Sequence, residues 1–337
     1  MTKNHFAVRT TTVQLDGRHI EAVTEAVQRS RKPATRRVYA SAWRRFRSWA
    51  EGEGAEALPA EPLTVAAYLA HRAAEGLSMA SVALDRKAIS HYHRRAGFST
   101  PTATEGVRRT FTGLVNQAVE EGRNEPRQAR ALTAEVLEAI RRTAHLQRSG
   151  PTGRTESAAS ARRRGDMDIA IASVMRDAML RRAEAAGLRW REVKFIADGS
   201  ARVTVRSSKT SAVPTVLYVG PEATAALRRI RPANVARQSR VFGLRTGRAI
   251  SNRVAAMAVA AGLGEGFSGH SPRVGMAQDL TAAGVGLTAI MVAGRWKSER
   301  MPAYYCRAEE VGRGAVARFY GRREGGQQLP GTPGWSG

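Results

Sequence analysis

The sequence predicts a mainly α-helical chain of two domains with one small β-hairpin, and three observations carry that expectation. Thr35, Tyr39, Trp43, Phe46 and Trp49 recur at three- and four-residue steps, the spacing of an apolar helix face, and further helical patterns follow along most of the chain. Residues 122–130, GRNEPRQAR, are polar and interrupted by proline, as an interdomain linker would be. Val203 to Arg206 and Thr215 to Val219 alternate like two short strands, with Ser207-Ser208-Lys209-Thr210 at their turn.

Taken in order, the aromatic helix presents Arg36, Arg37, Arg44, Arg45 and Arg47 on its other face. No acid intervenes, which favours phosphate contact over a merely solvated face. Leu58-Pro59-Ala60-Glu61-Pro62 breaks the chain, and Leu63 to Ala74 is helical again. Ser78 is placed to cap a helix over Met79 to Ala96, which displays Arg86, Lys87, His91, His93, Arg94 and Arg95. The two histidines are read as packing or solvated, because no third ligand lies near them. Val107 to Glu121 closes the first half. Beyond the linker, Thr133 is a plausible cap for the helix that Leu132-Thr133-Ala134-Glu135 opens. Residues 148–165, rich in serine, glycine and arginine and without an apolar period, read as a mobile basic surface loop. Asp168 to Leu188 is a strong helical pattern, Ala223 to Ile230 and Ser251 to Gly262 are further helices, and the glycines of 262–267 mark a turn.

The net charge of +25 bounds the function more tightly than length does. Through residue 130 there are 21 basic and 13 acidic residues, and beyond it 33 and 16, so both halves are positive, as a clamp on a polyanion requires. Only six of the 54 basic residues are lysines, so part of the excess reflects a general preference for arginine. Cys306 is the only cysteine, which excludes an intrachain disulfide framework and suits a reducing cytoplasm. No apolar run approaches the ~20 residues needed to span a bilayer.

The chemistry concentrates between Ser268 and Tyr305. His270 and Arg273 are three apart and could share a face at a helix start, where Ser271 suits capping and Pro272 suits the first turn. The free N–H groups of that helix would point toward the same anion. Trp296 follows a second short helix, and Tyr305 comes nine residues later.

The run GHSPRVGMAQDLTAAGVGLTAIMVAGRW, followed by Tyr305-Cys306-Arg307, resembles the C-terminal half of the tyrosine recombinases, the phage integrase family. AEPLTVAAYL and the segment ending HYHRRAGFSTPT resemble the family's N-terminal core-binding domain. The resemblance spans roughly residues 30–325, and all six of the family's catalytic positions are filled. It implies catalytic roles for Arg181, Lys209, His270, Arg273, Trp296 and Tyr305, with Glu184 one turn beyond Arg181 to orient its guanidinium. Tyr305 would attack phosphorus, its phenol made easier to ionise by the arginines around it. Arg181 and Arg273 would fork onto the non-bridging oxygens, and His270 and Trp296 would hydrogen-bond the same group. Lys209 would supply the proton that an arginine effectively cannot release. Trp296 stands where many members have histidine, and Arg182, Pro272 and Arg295 also depart from the branch most resembled. Tyr304 is read as packing and Cys306 as a small buried hydrophobe.

The same resemblance makes Arg37, Arg86 and Lys87 readers of the major groove, and Arg36, Arg44 and Arg94 join them as DNA contacts. It implies a C-shaped clamp on duplex DNA, with a flexible segment at 1–30, a helical core-binding domain at 31–122, a linker at 123–131 and a catalytic domain at 132–325. A C-terminal helix at about 313–322 would dock on a neighbouring subunit, followed by a flexible tail at 326–337. The expected activity is site-specific recombination by a homotetramer on two inverted-repeat sites, through a 3′-phosphotyrosine and a Holliday junction, with no cofactor, metal or membrane. A type IB topoisomerase and a non-catalytic DNA-binding protein of the same fold are the alternatives.

Overall fold

The computed structural model describes residues 33–124, 128–150, 152–206 and 213–311, with six more between 18 and 26, and of 308–311 the backbone alone. Lys209, the 313–322 segment, the 326–337 tail and residues 1–17 lie outside the described residues. Among those described there are 12 α-helices and one three-stranded sheet, divided between two compact units, Met1–Arg127 and Gln128–Gly337. No described helix is long and apolar enough to cross a membrane.

The first unit is a bundle of α1 (Pro33–Gly52), α2 (Pro62–Ala74), α3 (Met79–Arg95) and α4 (Glu105–Glu120). The aromatic stripe folds as its period predicts: Trp43 and Phe46 are buried, and Trp43 stacks on Tyr92 of α3 at 4.8 Å between ring centroids. Ser78 caps α3 by accepting the Ser81 amide hydrogen. His93 packs, as expected. Its Nε2 accepts from the Ala60 amide at 2.9 Å and its Nδ1 donates to the Ile89 carbonyl, so both ring nitrogens are used, and burial lowers its pKa.

The second unit is built around α6 (Ala158–Asp177), buried along most of its length, with α5 (Ala134–Thr143) before it and α7 (Arg182–Gly187) after it. The sheet β1 (Val193–Phe195), β2 (Ala201–Val205) and β3 (Thr215–Val219) is antiparallel in the order β1-β2-β3, with Val203 opposite both Val193 and Leu217. It turns Ala201, Val203 and Val205 inward. Next come α8 (Pro221–Ile230), α9 (Gly247–Ala260), α10 (Ser271–Ala282), α11 (Leu287–Gly294) and α12 (Arg300–Val311). Thr133 caps α5 by accepting from the Val136 amide.

Two stretches differ from the sequence reading. Residues 158–165 are not loop but the start of α6, because Gly165 lets the helix lie against the Ala144 carbonyl, where a Cβ would come within 2.5 Å. The arginines of this stretch are also not all solvated. Arg148, Arg164 and Arg253 converge on the fully buried Asp168, and Arg164 pairs with Glu156 as well. The second difference is that Asp168 to Leu188 is two helices. The chain breaks after Asp177, where Met179 takes a left-handed backbone, φ 43°. β1 was not anticipated, since three residues are too short for a legible alternation.

Candidate active site

The break at Met179 is what positions Arg181, which becomes the N-cap residue of α7 with an extended backbone. Glu184, three residues on, reaches back: its Oε2 accepts the Arg181 amide hydrogen at 2.9 Å and its Oε1 accepts from Arg181 Nη1 at 2.9 Å. The spacing expected of this pair is therefore realised, with the Glu184 side chain only 4% exposed.

The loop into α10 is tied by short local bonds. Ser268 N donates to Ser271 Oγ at 2.9 Å, and Gly269 N donates to Ser251 Oγ at 3.2 Å. Gly269 has no room for a side chain, since a Cβ would meet Arg182 and Ser251 at 2.8 Å. His270, rather than Ser271, is the N-cap residue, and the Ser271 hydroxyl accepts from Ser268 N. Pro272 sits in the first turn as expected. The His270 side chain is exposed, whereas Arg273, one turn further, is 3% exposed.

Arg273 Nη1 donates to the Met179 carbonyl at 2.7 Å, and its Nη2 donates to the Gly294 carbonyl. The guanidinium lies over the Trp296 ring, 4.0 Å from its centroid. Trp296 in turn meets Tyr305 edge to face at 5.9 Å. Gly294 must be glycine here: a Cβ would fall within 1.8 Å of the Trp296 ring. Tyr305 lies on α12, which a small core of Met179, Ala277, Ile290 and Cys306 fastens to α10 and α11. Cys306 is fully buried, as expected of a small hydrophobe, and Gln278 donates to the Tyr305 carbonyl at 3.0 Å. The Tyr304 ring lies 6.3 Å from that of Tyr305, with Arg307 stacked over it at 4.5 Å.

Burial, with Arg181 and Arg295 beside it, brings the Arg273 guanidinium down to about 9, which leaves it a cation at neutral pH. Tyr305 corrects an expectation. Burial raises its phenol above 10.0, and the opposing pull of Arg273 and Arg181 does not offset that desolvation. Arg295 is the residue whose place the sequence did not disclose. Its Nη2 donates to Glu184 Oε2 at 3.0 Å, so two arginines share one carboxylate, with Arg273 close beside them. Among the described residues no group of three or more His, Cys, Asp or Glu could hold a metal ion.

The DNA-contact candidates of the first unit lie on α1 and α3. Arg36, Arg37 and Arg44 on α1 and Lys87 and Arg94 on α3 are exposed, while Arg86 is half-buried with its guanidinium 4.2 Å from the centre of the Phe111 ring. Two other arginines of α1 are neutralised: Arg45 by the buried Asp85, and Arg47 by Glu51.

Residues 154–310, which hold this mostly helical site, match the profile of the phage integrase family. The chain therefore carries a phage integrase family domain over those residues. It is 24% identical over 313 residues to recombinase Cre of Escherichia phage P1, covering 85% of this chain and 87% of that one. Its fold is similar to that of the XerH site-specific recombinase bound to a palindromic difH substrate, at TM-score 0.52 and 14% identity over 77% of this chain and 72% of the other. A lambda integrase dimer bound to a COC′ core site gives TM-score 0.51 and 17% identity over 87% and 95%.

Proposed function

We propose that this enzyme recombines duplex DNA at specific sites by cleaving and rejoining strands through a 3′-phosphotyrosine. The observation that carries the reading is the excess of buried positive charge beside Tyr305. Arg181 and Arg295 share Glu184, while buried Arg273 beside them donates to the Met179 and Gly294 carbonyls, and a phosphodiester is the anion that would complete the set. Arg181 and Arg273 hold the non-bridging oxygens, with His270 and Trp296 donating hydrogen bonds to the same group. Tyr305 Oη attacks phosphorus, the bond to the 5′-oxygen breaks, and Lys209 protonates that oxygen. The phosphotyrosine keeps the energy of the broken bond, so a 5′-hydroxyl can reverse the step without ATP.

Both units contact the duplex, the first through Arg36, Arg37, Arg44, Arg86, Lys87 and Arg94. Four copies act on two inverted-repeat sites through a Holliday junction, with the segment at 313–322 docking between neighbours. DNA-bound relatives of similar fold support duplex DNA as the substrate.

Trapping the DNA covalently held by the protein in detergent, and sequencing it, tests the reading. Tyr305→Phe is expected to bind DNA normally and form no adduct, while Tyr304→Phe still forms one. An adduct with Tyr305→Phe but not Tyr304→Phe would refute the assignment, and relaxation of any plasmid without site preference would make the protein a topoisomerase instead.

A further inference from the structure

Two non-glycine residues among those described have left-handed backbones, Met179 at φ 43° and Arg295 at φ 57°, and they touch each other. Arg295 Nη2 donates to the Met179 carbonyl at 3.0 Å, the same oxygen that accepts from Arg273 Nη1. Arg295 ends α11, a position where a left-handed residue is usually glycine. An arginine there is strained, and its side chain is also taken out of water, only 10% exposed. Its Nε and Nη1 are buried with no hydrogen-bond partner. Nothing in the local fold requires these three unfavourable features together, so the reason lies in what the residue holds.

Arg295 holds the Arg181 pair at both ends. Its Nη2 meets Glu184 Oε2 at 3.0 Å while Arg181 takes Oε1, and its own carbonyl accepts from Arg181 Nη2 at 3.3 Å. Arg181, Glu184 and Arg295 thus close a ring, and the shared Met179 carbonyl joins that ring to Arg273. We infer that Arg295 is a positioning residue for the strand-transfer step, fixing Glu184 and the Arg181 guanidinium so that Arg181 and Arg273 meet the phosphate as a preset pair. It acts through Arg181 and does not itself contact the phosphate.

This inference rests on the strand-cleavage reading, and the test separates the two. Single-turnover adduct formation at saturating DNA is measured for the parent protein, Arg295→Gly, Arg295→Asn, Glu184→Gln and the double variant Arg295→Gly/Glu184→Gln. Glycine accepts the left-handed backbone without strain and asparagine tolerates it, so either keeps the fold testable. Arg295→Gly is expected to slow adduct formation about 100-fold, the scale of a small misplacement of a reacting group, with DNA affinity and Tm unchanged or Tm raised. The double variant is expected to be scarcely slower than Glu184→Gln alone, since both changes break one ring. Parental rates in both Arg295 variants, penalties that multiply in the double variant, or a rate loss that tracks a fall in Tm would each overturn the assignment of Arg295. A parent protein that forms no adduct would overturn the cleavage reading and this inference with it.

Discussion

Arginine serves two opposite purposes in the two units of this chain. On α1 of the first unit, Arg36, Arg37 and Arg44 stand in solvent with no ion pair among the described residues. Their charges are screened by water and salt, and holding them there costs the fold almost nothing. In the second unit, Arg181 and Arg295 are drawn into the protein onto a single Glu184, and Arg273 is buried beside them. Desolvated guanidiniums in excess of their counter-charge destabilise a domain until an anion arrives. Under the proposed function the first arrangement would hold the DNA backbone, and the second would act on one phosphate. The +25 of the chain is therefore not one property but at least two.

The proposed chemistry also needs a group that neither set of arginines supplies. Arginine can neutralise a phosphate but cannot give up its proton at working pH, and so Lys209 is expected to matter most to the chemistry. Lys209→Ala should slow adduct formation by ~100- to 10,000-fold, the range of a lost general acid. A substrate with a 5′-bridging sulfur, whose leaving group needs no proton, should restore much of that rate. Absence of rescue would mean that the arginines suffice and Lys209 has another task.

A third use of arginine tests the claim that burial demands a counter-charge. Arg148, Arg164 and Arg253 surround Asp168, which is fully buried, and there the neutralising acid comes from the protein itself. Asp168→Asn should lower the stability of the second unit by about 3 kcal/mol, because it leaves buried cations unpaired. Urea unfolding would measure it, and a loss below about 1 kcal/mol would show that these arginines simply turn outward.

Arg273→Ala probes the uncompensated set. Adduct formation should fall by ~100- to 1,000-fold, as when one oxyanion donor is removed, while DNA affinity stays near that of the parent. A comparable loss of affinity would place Arg273 with the surface arginines after all.

Much of this was legible in the sequence, for a reason that also marks where legibility stopped. The first helix of the first unit follows from the period of Tyr39, Trp43 and Phe46, and the Arg181–Glu184 pair from a spacing of three. Both are local facts. The break at Met179 is not local: Ala178, Met179 and Leu180 are good helix formers, and what ends the helix is a backbone carbonyl recruited by Arg273 and Arg295 from more than ninety residues away. The raised pKa of Tyr305 was missed for the same reason, since its neighbouring arginines are visible in sequence and its burial is not. Arg295 stood out as a departure from the family pattern, but its contacts could not be read until Glu184 and Met179 were placed beside it.

The smallest expected effect lies at the solvent end of the comparison and checks whether α1 truly works by counterion release. Arg44 is exposed and has no carboxylate partner among the described residues, whereas Arg47, three residues on, pairs with Glu51 at 3.3 Å. If Arg44 neutralises one phosphate, Arg44→Ala should reduce the slope of log affinity against log salt by about 0.9, equally for target and random duplexes. Arg47→Ala should change that slope less, because Glu51 already screens the charge. Cleavage at saturating DNA should be unaltered in both, since neither residue belongs to the unit that holds Tyr305. An unchanged slope in Arg44→Ala, or a slope change in Arg47→Ala of the same size, would mean that the exposed face of α1 is only a solvated one.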